Sequence, residues 1–306
     1  MLHIVVVGSL NMDLVVRTPR LPLPGETILG QDFRTIPGGK GANQAVVAAR
    51  LGARVSMVGR VGDDSFGRTL LNHMRREGID ISHVERDEAE PTGIAMITVD
   101  AGGQNSIVVA SGANFRLTSE QVAMALSNLP PYDALILQLE SPLDAVLVAA
   151  RRAQEAGARV ILNPAPARPL PETLLDCVDV LIPNESEASL LASMPIQSRK
   201  EAEEAARRLL DRGLQAVILT RGGEGALVVT AEGRAVHLPP HQVEVVDATA
   251  AGDAFVAGVT VGLGEGLSLI EAARLGNATG AMTVTRMGAQ SSFPTREEVE
   301  ELLRQY

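Results

Sequence analysis

The chain has no tryptophan, two tyrosines, five phenylalanines and a single cysteine among its 306 residues. Cys177 alone can form neither an internal disulfide nor a thiolate cage for a metal, so it reads as a small core residue of a protein made for a reducing compartment. Basic residues are also scarce. Lys and Arg number 27 against 37 Asp and Glu, a formal charge of −10 that excludes the clustered positive surface a nucleic-acid partner requires. An anionic small molecule would need a local site of its own. Long apolar runs are missing too: none approaches the roughly 20 residues that span a bilayer. The apolar start at 2–7 is cut short by Asn11 and Asp13 before it could serve as a signal peptide. These absences predict a cytoplasmic protein without membrane contact. No repeat, low-complexity tract or Pro/Ser-rich linker divides the chain, which predicts one domain over 1–306.

What is present is 45% hydrophobic residues, enough for a large core. They fall in short Val- and Ile-rich runs that alternate with amphipathic stretches. Runs at 3–7, 54–59, 134–138, 159–162, 180–183 and 215–220 read as strands. Segments 41–51, 66–77, 143–156 and 200–212 carry apolar residues three and four apart and read as helices. The alternation predicts an α/β fold with a predominantly parallel central sheet and helices on both faces. Two segments break it. Residues 14–36, with Pro19, Pro22 and Pro24, and residues 92–110, two runs around Ala101-Gly102-Gly103, read as antiparallel strands. A small isolated sheet is marginal, so these strands are expected to form a β-sheet lid that closes a cleft or packs on a second subunit. Two more strands, 226–230 and 234–238, and three helices end the chain.

Polar and Gly-rich clusters fall where strands end, the place where open α/β sheets bind ligands. Asn11-Met12-Asp13 follows the first strand. At a two-residue period Asn11 and Asp13 share a face and can bond neighbouring hydroxyls, although turn formation would also account for them. Gly38-Gly39-Lys40-Gly41-Ala42-Asn43 precedes a helix. It is no P-loop, because Gly41 rather than Ser or Thr follows Lys40, and no Gly-x-Gly-x-x-Gly dinucleotide fingerprint occurs. Glycines beside Lys40 and Asn43 suit a hydroxylated or anionic ligand. Glu140 is either a hydroxyl acceptor or a helix-capping carboxylate ahead of Ser141-Pro142. In Asn184-Glu185-Ser186-Glu187 a capping box explains Asn184 and Glu187 without chemistry; the alternative is that they hold a triphosphate and the water shell of Mg²⁺. Thr220-Arg221-Gly222-Gly223-Glu224-Gly225 carries more glycine than a hairpin needs and fits backbone amides approaching a phosphate or ribose.

The most informative stretch is Asp247-Ala248-Thr249-Ala250-Ala251-Gly252-Asp253. Small residues at a helix start leave N–H groups uncovered, an anion hole for the charge that develops in phosphoryl transfer. Asp253 beside it can take the proton of an attacking hydroxyl. On this motif alone, stabilisation of the helix dipole would explain Asp253 equally well.

In their order along the chain these motifs resemble the ribokinase family of sugar and nucleoside kinases. Gly39-Lys40-Gly41-Ala42-Asn43-Gln44-Ala45, Gln138-Leu139-Glu140-Ser141-Pro142, Leu162-Asn163-Pro164-Ala165-Pro166-Ala167 and Thr285-Arg286-Met287-Gly288-Ala289-Gln290 extend the likeness. The resemblance implies a ribokinase-like fold and ATP-dependent phosphorylation of D-ribose at O5, with Asp253 as an ordinarily ionised catalytic base. It implies that Asn11, Met12, Asp13, Gly39, Lys40, Gly41, Ala42, Asn43 and Glu140 meet the sugar. Asn184, Glu187, the loop Thr220 to Gly225, Gly252 and Asn277 would meet ATP with its Mg²⁺. An activating K⁺ would sit among Asp247, Thr249, Thr283, Arg286, Gly288 and Ser292, several acting through backbone carbonyls, since Arg286 is itself a cation. A homodimer through the lid strands is implied as well. With so few aromatic rings, adenine is expected against aliphatic residues around Asn277 and Val246. Sister substrates (2-deoxyribose, fructose, nucleosides) and a non-catalytic sensor on the same fold are the alternatives. In one departure Ala250 stands where many members have Gly; Ala keeps the site small and is expected to be compatible with activity.

Overall fold

The computed structural model describes residues 1–305, whose thirteen strands form two sheets. The larger sheet contains β1 (His3–Val7), β4 (Arg54–Gly62), β5 (Asp80–Asp87), β8 (Ala134–Leu137), β9 (Arg159–Leu162), β10 (Val180–Leu181), β11 (Ala216–Thr220), β12 (Ala226–Thr230) and β13 (Ala235–Leu238). Their spatial order is β13-β12-β11-β10-β9-β8-β1-β4-β5, parallel except where β12 pairs antiparallel with β11 and β13. β1 reads His-Ile-Val-Val-Val and is buried throughout, as a strand covered on both faces must be.

Ten helices cover this sheet: α1 (Lys40–Arg50), α2 (Ser65–Arg76), α3 (Ser119–Asn128), α4 (Leu143–Glu155), α5 (Glu172–Leu175), α6 (Glu185–Ala192), α7 (Arg199–Leu210), α8 (Ala251–Gly264), α9 (Leu269–Thr283) and α10 (Arg296–Leu303). Successive strand residues point to opposite faces. Ile4 and Val6 therefore enter a core shared with α1, α2, α8, α9 and α10, whereas Val5 and Val7 enter a second core with α3, α4, α6 and α7. Each such side chain gains roughly 1.5–3 kcal/mol by leaving water. α8 and α9 approach closely because glycines face one another. A Cβ at Gly258 would lie 2.8 Å from Gly276 Cα, and one at Gly276 would lie 2.7 Å from Phe255 O. That contact fixes the start of α8 over the C-terminal ends of the central strands.

The smaller sheet is the lid: β2 (Asn11–Arg17), β3 (Asp32–Gly38), β6 (Gly93–Val99) and β7 (Asn105–Ala110), ordered β3-β2-β6-β7. The sequence led us to expect antiparallel strands throughout, and the outer pairs obey, but β2 and β6 are parallel. The reason lies in the parent sheet. β2 continues from β1 and β6 from β5, and these run in the same direction through β4, so both continuations leave the same end. β2 also begins at Asn11, earlier than expected, which makes Asn11-Met12-Asp13 the root of the lid rather than a turn. β5 escaped the reading altogether because Asp-Ile-Ser-His-Val-Glu-Arg-Asp is a half-exposed edge strand with few apolar residues.

Candidate active site

α1 begins at Gly39, whose φ of +89° favours glycine. A Cβ there would lie 2.6 Å from Asn11 N. The backbone of the Gly-rich loop is thus pressed against the root of β2, and its glycines serve this chain–chain contact. The consequence is that Lys40 and Asn43 stand beside Asn11 and Asp13. Asn11 is 3% exposed and fixed by a residue that sequence reasoning missed. Asn114 donates from Nδ2 to Asn11 Oδ1 (2.7 Å) and to Leu10 O (3.1 Å), and accepts from Leu10 N at 2.9 Å. It lies in the short 3₁₀ turn Gly112–Arg116 that follows the lid, and no periodicity marks it. Glu140 accepts from Ser9 Oγ and, at 3.2 Å, from Lys40 N. α4 has no side-chain cap, so the helix-capping reading of Glu140 is set aside.

Asp253, in the first turn of α8, is 6% exposed. Its Oδ2 accepts from Asn43 Nδ2 at 2.9 Å and its Oδ1 from Gln44 Nε2 at 3.0 Å. The end of α8 beside it has no side-chain cap, and nothing stands within 4 Å of where a Cβ on Gly252 would point. Ala251 N donates to Ala248 O and Ala254 N to Ala250 O, so the amides of Gly252 and Asp253 between them face the open end of the helix, where anions are favoured. Ala250 adopts φ +61°, a left-handed conformation that a Cβ disfavours. The departure from Gly at this position is therefore a point of backbone strain as well as a small side chain.

A cavity of about 160 Å³ opens here, lined by Lys40, Asn163, Ala165, Ile182, Asn184, Glu187, Thr220, Ala250, Gly252, Asp253 and Val256. Lys40 and Asp253 thus face both the nucleotide-type motifs in this cavity and the Asn11–Asp13–Glu140 group. Charges in this region perturb one another. Burial pushes Asp13 up to about 7, helped by Glu140 and Asp253 and opposed by Lys40. Burial alone would lower Lys40, but Asp253, Glu140, Glu187 and Asp13 outweigh it and raise its pKa. Asp253 is raised by burial, against the stabilising effect of Lys40, Asn43 and Gln44 on the carboxylate; the expectation of an ordinary carboxylate took no account of so complete an enclosure.

Asn184 and Glu187 form a complete capping box at α6, with Glu187 N donating to Asn184 Oδ1 and Asn184 N to Glu187 Oε2. Both also line the cavity, so their capping bonds do not remove them from it. A bridge between Asn184 and Thr220 joins this motif to the next one. In the turn Gly222–Glu224 the backbone is exposed, but Arg221 is buried and its guanidinium is held by Glu185 and Glu224. These two carboxylates brace the loop, and neither Arg221 nor Glu224 is among the residues that line the cavity. Asn277 lies outside the cavity lining and donates to Pro239 O at 2.8 Å. Further along, exposed Val246 is tied through its N to Val284 O.

The two segments expected to hold K⁺ do meet. Val246 N and Asp247 N donate to Val284 O, and Gly288 N donates to Asp247 Oδ2 at 2.8 Å. Asp247 Oδ1 accepts from Thr249 N and Oγ1. The Arg286 guanidinium turns away to Glu298, the Thr283 hydroxyl donates to Thr279 O and the Ser292 hydroxyl to Ala289 O. The side chains of Thr283, Arg286 and Ser292 are therefore engaged within the protein, and Asp247 is the carboxylate at which the two segments meet. No group of three or more His, Cys, Asp or Glu among the described residues is disposed to hold a metal.

Residues 1–296 match the profile of the pfkB family carbohydrate kinases. The chain belongs to this family. Among its pfkB-family relatives, the ribokinase of Haemophilus influenzae is 43% identical over 298 residues, 97% of each chain. The deoxyribokinase of Salmonella typhi is 38% identical over 306 residues, 99% of each. The solved structure of Arabidopsis thaliana ribokinase complexed with ribose and ATP superposes at a TM-score of 0.90 with 33% identity, over 98% of both chains. The fold is ribokinase-like, and the pfkB-type resemblance drawn from the motifs holds along the whole chain. Among the described residues no helix is long and apolar enough to cross a membrane.

Proposed function

We propose that the protein transfers the γ-phosphoryl group of ATP to O5 of D-ribose, giving D-ribose 5-phosphate and ADP. One observation carries this reading: a buried carboxylate, Asp253, is aimed by two amides at the open start of α8, between a hydroxyl-binding group and a nucleotide-type cavity. Asn11, Asp13 and Glu140 accept from the ribose hydroxyls, and Lys40 and Asn43 donate to them. As O5 bonds to the γ-phosphorus, its proton passes to Asp253 and the bond to the β-phosphate oxygen breaks, with ADP as leaving group. The Gly252 and Asp253 amides face the negative charge on the equatorial phosphoryl oxygens. Asn184, Glu187, Thr220 and the Gly222–Gly225 backbone hold the phosphates, and Val246 with its neighbours covers the base. Mg²⁺ bound with ATP near Asn184 and Glu187 would offset phosphate charge, and K⁺ in the Asp247/Gly288 loops would steady the start of α8.

The lid closes over the sugar and excludes water, which would otherwise compete as acceptor. Strands β3, β6 and β7 of the lid expose Phe33, Met96, Ile107, Val108 and Val109, and exposed apolar side chains gathered on one small sheet are of the kind that mark an interaction surface. This supports a homodimer joined through lid strands, and the single cysteine supports a cytoplasmic location. The test is ADP release with ribose, 2-deoxyribose, fructose and a nucleoside as acceptors. Ribose should give the highest kcat/KM. A preference for 2-deoxyribose, the substrate named for the Salmonella relative, would replace ribose in this reading, and no turnover with any acceptor would favour a sensor.

A further inference from the structure

Four stretches carry the resemblance of this chain to its family, yet Gln44, Gln138, Asn163 and Gln290 in them were left without a role. All four are buried, and they lie in one array that ends on Asp253. A carboxamide is nearly symmetric in shape, so only its partners decide which way it points. Asn163 Nδ2 donates to Ile182 O at 3.0 Å, and a backbone carbonyl can only accept. Asn163 Oδ1 must then face Gln44, which presents Nε2 to it at 3.3 Å and, with the same amide, to Asp253 Oδ1 at 3.0 Å. Gln44 Oε1 is left to accept from Gln138 Nε2 at 2.6 Å. The far side of Gln138 is fixed by space: a Cβ on Gly8 would collide with its Oε1. On the other flank Gln290 Nε2 donates to Asn43 Oδ1 at 3.0 Å, which turns Asn43 Nδ2 toward Asp253 Oδ2.

We infer that Gln44, oriented by Gln138 and Asn163, is a positioning residue that holds the Asp253 carboxylate at a fixed angle and in its ionised form. The inference rests on Asp253 being the base. Stability alone explains the array poorly, because Gln138 Oε1 and Gln290 Oε1 are buried without partners, and a half-satisfied buried network costs more than an apolar one. The arrangement has a chemical advantage. Neutral donors keep a buried carboxylate charged without the tight ion pair that would make it a poor proton acceptor. Four charged groups also act on Asp253: Lys40 from α1, Glu140 after β8, Asp13 of β2 and Glu187 of α6. They are common to wild type and variant, so a difference between the two pH profiles isolates Gln44.

Gln44→Met keeps the volume and removes the donor. A hydrogen bond to a charged group is worth about 1.5–3 kcal/mol, so the acid limb of kcat/KM should move up by about one to two pH units. kcat near neutrality should fall about 10- to 100-fold, with the sugar KM within about threefold of wild type. Gln138→Met, one bond further out, should shift the limb in the same direction by less. The inference is overturned if Gln44→Met leaves the limb in place, or if the loss is equal at every pH and tracks a lowered Tm. Should Gln44→Met not fold, the limb position in Gln138→Met decides in the same way. Asp253→Asn in the same series separates the two claims: near-normal turnover there removes the base assignment itself, whereas its inactivity with an unmoved Gln44→Met profile removes only the positioning role.

Discussion

The two sides of Asp253 are built on different plans. On the proposed sugar side, Asn11, Asp13, Lys40, Asn43 and Glu140 approach one another as side chains, buried or half-buried and held by Asn114, Ser9 and the carboxamide array. On the nucleotide side the loops offer mostly backbone. The turn Gly222–Glu224 is exposed, Arg221 is occupied by two carboxylates, and Asn277 donates to Pro239 O. A small neutral sugar presents only hydroxyls, so it needs directed, desolvated partners. A nucleotide brings charge, a metal and a large flat base, and can be held by amides and aliphatic surface. If that contrast is correct, substitutions on the sugar side should be costly and those on the nucleotide loops tolerable.

The largest expected effect is at the junction. Asp253→Asn keeps the shape and removes the base, and steady-state ADP release should fall by roughly 10² to 10⁴-fold or more with little change in Tm. Next is Gly39→Ala. Its Cβ would meet Asn11 N at 2.6 Å on a backbone with φ +89°, so both the β2 root and the α1 start must shift. A loss of about 1–3 kcal/mol in denaturant unfolding is expected, together with a sugar KM raised more than that of ATP. Equal rises for both substrates would blur the division between the two sides.

A pH effect of intermediate size comes from the proposed sugar side. Asp13 is raised to about 7 by burial and by Glu140 and Asp253. Sugar hydroxyls donate to the ionised form, so binding favours Asp13 deprotonated and weakens as pH falls through that value. Titration calorimetry should show the sugar Kd rising up to about tenfold per unit below about pH 7 and levelling off above it. The stability linkage has the opposite sign. A carboxyl raised above its unfolded value of 3.8 leaves the native state holding the extra proton, so without sugar this group favours folding at acid pH and loses that contribution as pH rises to about 7. Asp13→Asn should remove most of the pH dependence of sugar affinity, while the pH profile of ATP-analogue affinity stays the same in the variant as in the wild type. On the nucleotide side, Glu224→Ala removes one of two partners of Arg221 at an exposed position and should change the ATP KM by less than about threefold.

The same contrast explains what was legible in the sequence. Asn11, Asp13, Lys40, Asn43 and Asp253 stood out together, as polar residues at strand ends and helix starts in the order of the family's motifs, although turn or dipole effects explained several of them singly; the structure brings all five together. Arg221, Glu224, Thr283, Arg286 and Ser292 were located as segments, but the direction of each side chain was not readable, since a loop that works through its backbone leaves the side chains free to brace it. Asn114 and β5 escaped for a third reason. Their roles come from tertiary neighbours far along the chain, Leu10 and Asn11 for the one and β4 for the other, and local pattern contains no trace of either. The parallel pairing of β2 with β6 belongs with them, because it follows from the directions of β1 and β5.

Ala250 gives the smallest effect and bears on how the two sides are joined. Its left-handed backbone, φ +61° and ψ +11°, costs an L-residue about 1–2 kcal/mol, part of which Gly would return while adding about 0.4–1 kcal/mol of unfolded-chain entropy. Ala250→Gly should therefore raise Tm only slightly, by about 1–3 °C. If the strained turn merely tolerates Ala, kcat stays within about twofold of wild type. If the Cβ at 250 keeps the Gly252 and Asp253 amides fixed against the phosphoryl group, kcat falls at unchanged KM for both substrates while Tm still rises. Stability and turnover moving in opposite directions would mean that the anion hole is held by strain from the nucleotide side, and that Asp253 is aimed by the sugar-side amides but positioned along the reaction axis by its own helix start.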